Sequence, residues 1–246
     1  MELRSRWLAI RADVEARAGH YPAAEILVRR ALAAIGEPDA PMDVLGISLL
    51  NRLGMIHKAQ GRLDAAARAY RRAWRGARQR AHDPLVFAAL YHNLGGLEHA
   101  RGRYARAEPL AWRAVELRER ALGPDHADVA RDLAALAAIV DGRGRHRAAE
   151  ALHRRALQIF ERRGLRSHRD TAAALANLAA CLHAQGRSAE AAPLAARALA
   201  MSRRRTGATH PETALAASNL SVILRALPAG PGSRGLHVHP LGHRES

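Results

Sequence analysis

Residues 102–126 read GRYARAEPLAWRAVELRERALGPDH, and the fold turns on this stretch. It opens on Gly102, places Ala107 five residues later, and sets Arg113-Ala114 eleven and twelve residues after the Gly. A glycine ends a helix readily because it enters the left-handed backbone region that costs other residues more. Pro109, like Pro22 and Pro193, is read as standing in the opening turn of the next helix, where a missing N–H does little harm. Ahead of each such glycine lies a segment with apolar residues at three- and four-residue steps, carried in the first unit by Leu3, Trp7, Ile10 and Val14. A helix, a tight turn and a second helix therefore make one hairpin, which has to stack on its neighbours to bury its apolar face.

Outward from this stretch the pattern recurs. A Gly followed by a polar residue stands at Gly19-His20, Gly61-Arg62, Gly102-Arg103, Gly144-Arg145 and Gly186-Arg187, at intervals of 42, 41, 42 and 42 residues. Ala24, Ala66, Ala107, Ala149 and Ala191 keep step with it, as do Arg30-Ala31, Arg72-Ala73, Arg113-Ala114, Arg155-Ala156 and Arg197-Ala198. Three markers held in register through five units exclude coincidence, and the small Ala residues let neighbouring helices approach closely.

Gly102-x-Tyr104-x-x-Ala107 with Ala114, and Gly19-x-Tyr21-x-x-Ala24 with Ala31, resemble the tetratricopeptide signature. The 42-residue period, the segments at 107–130 and 209–220, and the junction histidines His126, His168 and His210 resemble the kinesin-light-chain subgroup of that family. The resemblance covers roughly residues 5–226, although His146 and Ser188 replace the aromatic after the Gly and the fourth unit lacks an Asn-Leu pair. HEAT and armadillo arrays have a similar period but would not be expected to keep this Gly, Ala and Arg-Ala ladder. The expected fold is all-α: a right-handed α-solenoid of helix–turn–helix repeats over residues 1–227. Its hairpins are expected at 1–44, 45–86, 87–129, 130–171 and 172–213, with a capping helix at 214–227 and a disordered tail at 228–246. Leu215, Val222, Ile223 and Leu224 surround the capping helix broadly. That edge is therefore expected either to pair with another molecule or to mark a shortened version of a longer array.

In the family so resembled, the first helix of each hairpin lines a concave groove that receives a peptide or a helix of a partner protein. Carried over by register, that groove would present Asn51 and Arg52, His92 and Asn93, Arg131, Asn177, and Ser218 with Asn219. An amide offers donors and an acceptor together, so it can pair with a peptide backbone of any sequence. The same amides could instead bond to the adjacent helix and set the stacking of the hairpins. A clamp for a terminal carboxylate would need several Lys, Arg and Asn residues converging, and one lysine with Ala at many groove positions does not assemble it.

Composition narrows the other possibilities. The formal charge of +16 and a pI near 11.5 raise the question of nucleic acid. Lys58 is the only lysine, however, and an Arg-, Ala- and Gly-rich chain is what a GC-rich coding sequence produces unaided. Much of the Arg falls on second helices, the outer side, leaving the inner face comparatively neutral and without interleaved aromatics; both points argue against nucleic acid. Arg30, Arg72, Arg113, Arg155 and Arg197 are expected to bridge successive hairpins or bond loop carbonyls.

There is no Gly-rich phosphate loop, no His-Glu-x-x-His and no paired cysteine, so neither an enzyme nor a cofactor is expected. Cys181 sits mid-helix among Ala and Leu and reads as a small buried hydrophobe; as the only cysteine it points to a reducing compartment. His92 and His99 could share a helix face without a third ligand, and His237, His239 and His243 offer at most an adventitious metal site. No apolar run reaches the roughly 18 residues of a membrane span and no signal peptide is visible, which reads as cytoplasmic. The expected function is non-catalytic binding of a protein or peptide partner in the concave groove; the alternatives are a regulatory or sensory fragment that self-associates through its C-terminal edge and, behind it, a nucleic-acid-binding solenoid that uses the convex arginines.

Overall fold

The computed structural model describes residues 2–35, 43–80, 83–164 and 169–227. The expected tail at 228–246 and the junction residue His168 lie outside them. Eleven helices follow one another among the described residues, paired as α1 (Glu2–Arg17) with α2 (Tyr21–Ile35), α3 (Val44–Ala59) with α4 (Leu63–Arg80), and α5 (Pro84–Ala100) with α6 (Tyr104–Leu122). Then come α7 (Ala127–Asp141) with α8 (His146–Arg162), α9 (Arg169–Ala184) with α10 (Ser188–Thr206), and α11 (Pro211–Arg225). The helices that open the third, fourth and fifth hairpins begin three residues ahead of the expected unit limits, the first two of them capped by Asp83 and His126.

The turn within each hairpin is the same device used five times. Gly19, Gly61, Gly102, Gly144 and Gly186 all have φ between 69° and 83°. In the third hairpin, Gly102 N–H donates to His99 C=O at 2.8 Å and Arg103 N–H to Glu98 C=O at 2.8 Å. These two bonds satisfy carbonyls that a helix end would otherwise leave open. Between hairpins the caps are side chains. Asp43 accepts from Gly46 N–H, Asp83 from Leu85 N–H, His126 Nδ1 from Asp128 N–H, and His210 Nδ1 from Glu212 N–H. The junction histidines His126 and His210 are thus helix caps.

The Ala markers explain themselves. Ala24, Ala66, Ala107, Ala149 and Ala191, with Ala31, Ala73, Ala114, Ala156 and Ala198, are all at most 2% exposed. A side chain larger than methyl there would force packed helices apart. Gly54 is a closer case still: a Cβ at that position would stand 2.3 Å from the fully buried ring of Tyr70 on α4. Two expectations are corrected. Pro109 and Pro193 are each the sixth residue of their helix, inside it rather than in its opening turn. The stripe Leu3, Trp7, Ile10 and Val14 is not the buried face of α1, being 54–85% exposed; Ser5, Leu8, Ala9 and Ala12 are buried instead.

The backbones of consecutive odd-numbered helices approach closely along the array, whereas those of consecutive even-numbered ones do not. The odd helices therefore line the inner, concave side of the curve and the even helices its outside. One continuous apolar core runs from α6 to α11, while the first two hairpins are held by three smaller clusters. At the C-terminal edge Ile223 is buried, whereas Leu215, Val222 and Leu224 are exposed.

Candidate functional site

Successive hairpins are fastened at their turns by a repeated ion pair. Six residues after the turn glycine stand Glu25, Glu108 and Glu150, and one residue after the next glycine stand Arg62, Arg145 and Arg187. Arg62 reaches Glu25, Arg145 reaches Glu108 at 2.7 Å, and Arg187 reaches Glu150 at 2.6 Å. The arginine partners favour the charged form of all three carboxyls and, despite the opposing pull of burial, hold them below the usual range. Between the second and third hairpins the glutamate is absent, and Arg101 meets the exposed Asp64 at 2.6 Å instead. The spacing of Glu and Arg is visible in the sequence, but Gly-Arg reads first as a turn and the pairing shows only in the structure. A depression of about 920 Å³ lies at these turns, but its Arg145, Arg187 and Glu150 are already engaged with one another or with Glu108. Farther along the outer helices, Arg155 reaches Glu119, and Arg197 reaches Glu161 at 2.8 Å, both bridging successive hairpins as expected; Arg113 instead pairs within α6 with Glu116.

The concave side holds a cavity of about 690 Å³. Arg17 of α1 and Asn51, Arg52 and Lys58 of α3 line one wall, and Arg169 and His210 from the starts of α9 and α11 line the other. The array therefore curls far enough for its last hairpins to face its first across a single channel. Asp13 is the only carboxylate in the lining, so this stretch of the inner face is cationic rather than neutral. Lys58 is half-buried over the bare backbone of Gly96, where an added Cβ would come within 2.9 Å of its Nζ. Burial lowers its pKa, and no carboxylate among the described residues pairs with it. The ammonium also adds to burial in depressing the pKa of His99 on α5.

The residues expected to line the groove divide into two sets. Five are tied to neighbouring inner helices. Arg52 donates to Ala9 C=O and pairs with Asp13 at 2.8 Å, joining α3 to α1. Asn93, 6% exposed, donates from Nδ2 to Asn51 Oδ1 at 2.9 Å. His92 Nδ1 meets Asp132 Oδ1 at 2.6 Å, and Arg131 pairs with Asp128 and, at 2.7 Å, with Asp170. Asn177, Ser218 and Asn219 are exposed on α9 and α11. The amides at the N-terminal end thus set the stacking, and those at the C-terminal end face solvent.

Asp132 was not anticipated. It is fully buried, takes a 2.8 Å bond from Arg118 of α6, and leaves Oδ2 without a partner. Its counterparts twelve residues before the other turn glycines are Trp7, Leu49, Leu90 and Ala174, so an interior charge here replaces an apolar position. Cys181 is buried and its thiol is pushed up to about 11 by burial, which leaves it protonated and unreactive. Among the described residues no cluster of three or more His, Cys, Asp or Glu could hold a metal ion. No helix among them is long and apolar enough to cross a membrane.

Comparison with known proteins places these features in a family. A tetratricopeptide repeat model matches residues 86–162 and 170–227, and a second such model matches 47–82. No curated protein sequence matches the chain. Among solved structures, BtubC (BKLC) from P. vanneervenii is 25% identical with a TM-score of 0.64, over 83% of this chain and 81% of that one. The kinesin light chain TPR-like repeats of Podosopora anserina are 19% identical with a TM-score of 0.64, over 83% and 98%. A Rap protein complexed with Competence and Sporulation Factor is 15% identical with a TM-score of 0.63, over 90% and 64%. Arrays of this architecture serve as scaffolds for protein–protein interaction. The chain belongs to the tetratricopeptide repeat family, and its long hairpins are of the kinesin-light-chain-like kind.

Proposed function

We propose that the chain is a non-catalytic interaction module whose concave channel holds an acidic peptide or helix of a partner protein. The observation that carries this reading is the set of cations on the channel wall. Arg17 and Lys58 stand there against the single carboxylate Asp13, which Arg52 already occupies, while Arg169 lies 4.0 Å from Glu212. An uncompensated, half-buried ammonium gains most from a carboxylate that enters without having to displace a partner. Beyond it, the exposed Asn177, Ser218 and Asn219 supply side chains that can bond an extended backbone. The Rap complex supports the reading by analogy of fold.

Immobilised arrays of acidic, neutral and basic peptides, probed with the full chain, test it. Acidic peptides should be retained, and Lys58→Glu combined with Asn177→Ala should weaken retention by about tenfold or more. Equal retention by the correctly folded double variant rules the channel out.

One observation favours a second reading, nucleic-acid binding by the outer surface. Arg68, Arg71, Arg75 and Arg78 are exposed along one face of α4, and no carboxylate among the described residues pairs with any of them. Such a stripe predicts binding that falls steeply with salt. Absence of binding to RNA and DNA at low salt removes it.

A further inference from the structure

Helix α1 is apolar on two opposite sides. Leu8, Ala9 and Ala12 are buried against the first hairpin, while Leu3, Trp7, Ile10 and Val14 form a second, fully displayed stripe. The repeat shows what such a stripe meets elsewhere. Trp7 and Val14 stand twelve and five residues before their turn glycine. The same positions hold Leu49 and Ile56 in the second hairpin and Leu90 and Leu97 in the third, all at most 2% exposed. Leu49 and Ile56 share one cluster with Val28 and Ala31 of α2, so the element that covers these positions is a helix of the preceding hairpin. At α1 the positions stay apolar, with Trp7 54% and Val14 61% exposed.

We infer that the outer face of α1 is a homodimer interface, in which two copies pair their α1 helices antiparallel about a two-fold axis. The spacing of the stripe is self-complementary under that operation. When Leu3 lies opposite Val14 of the second copy, Trp7 lies opposite Ile10, and the reciprocal contacts follow. All four residues stay in register over about 17 Å of helix. Charge on one flank follows the same register. Arg4 falls beside Glu15 of the second copy, while Arg11 stays folded over its own Trp7 ring at 5.0 Å from the centroid. The pairing continues the stack across the axis and leaves both channels open. Four side chains from each copy cover less than the roughly 800 Å² per partner of a standard interface, so the dimer is a weak one that dissociates on dilution.

Sedimentation velocity of the full chain over a concentration series tests this. The wild type should pass from monomer to dimer, and Trp7→Glu with Val14→Glu should remain monomeric with unchanged helical content and melting. Arg4→Glu should weaken the dimer and Arg4→Glu with Glu15→Arg should restore it, a rescue that a parallel pairing does not give. A strict monomer at every concentration overturns the inference, and so does a dimer that survives Trp7→Glu with Val14→Glu. Loss of dimer on Leu224→Glu, with the α1 variant unaffected, assigns self-association to α11 and likewise overturns it.

Discussion

Asn93 donates to Asn51 over 2.9 Å, fastening α5 to α3 on the channel floor, and so one amide spends its hydrogen bond on the stack. Asn177, one of the amides expected to line the same groove, is exposed on α9. The two should respond differently to the same change.

Asn93→Ala leaves the Asn51 carbonyl short of a donor in a half-buried place and should cost about 1–2 kcal/mol. Asn177→Ala should stay within about 0.5 kcal/mol of the wild type. Urea melts of the two single variants decide the matter; equal losses contradict the division of roles.

The Asp132–Arg118 pair places charge where other hairpins have apolar side chains. Asp132→Ala strands Arg118, 13% exposed at its side chain, and should cost roughly 3 kcal/mol. Asp132→Leu with Arg118→Leu brings the site back toward its apolar counterparts and should recover most of that loss. Thermal unfolding of both variants tests the prediction, and a double variant no better than the single one refutes it.

Stability should fall on mild acidification. Burial holds His153 neutral in the folded chain down to about 4, whereas unfolded it takes a proton near 6.5. Between those values the unfolded state binds more protons. The contribution of His153 is therefore whole above pH 6.5, shrinks as pH falls through the window, and is spent below about 4, amounting to about 3 kcal/mol. Glu25, Glu108 and Glu150, whose folded pKa values lie below 4.5, add a loss of the same sign once pH drops under that value. His153→Leu should flatten the upper part of the curve, and melting profiles taken across the window would show whether it does.

Gly54→Ala should destabilise by roughly 2–3 kcal/mol, since its Cβ meets a ring that has no room to swing aside. Trimming the ring in Gly54→Ala with Tyr70→Leu should return part of the loss. If the single variant melts like the wild type, helices α3 and α4 are looser than their packing indicates.

The hairpins were legible because their markers are imposed by the backbone: a left-handed turn needs Gly, and a close helix crossing needs Ala. Which side of a helix is covered is a different kind of fact. Leu3, Trp7, Ile10 and Val14 carry an apolar period, but α1 has a second apolar face, and only the packing shows that Leu8 and Ala12 take the interior. The groove positions were legible as positions, since the odd helices do line the concave side. Their bonding was not, because Asn93 meets Asn51 across 42 residues, and His92 meets Asp132 across 40. No local pattern reports such a partner. The prolines follow the same rule: Pro109 and Pro193 suggest helix starts because proline favours the first turn, yet both sit one turn further in.

The glutamate clasps at the turns are not evenly strong along the array. Three joints are closed by a carboxylate whose side chain is at most 13% exposed, whereas that between α4 and α5 rests on Asp64, 88% exposed and screened by water. Apolar packing across that joint is confined to two small clusters, around Leu90 and Leu97 of α5, and the continuous core begins only at α6. A spring with one soft coil bends at that coil. The channel wall bearing Lys58 lies on one side of it and the wall bearing Arg169 on the other, so flexing at this joint sets the gauge of the opening between them.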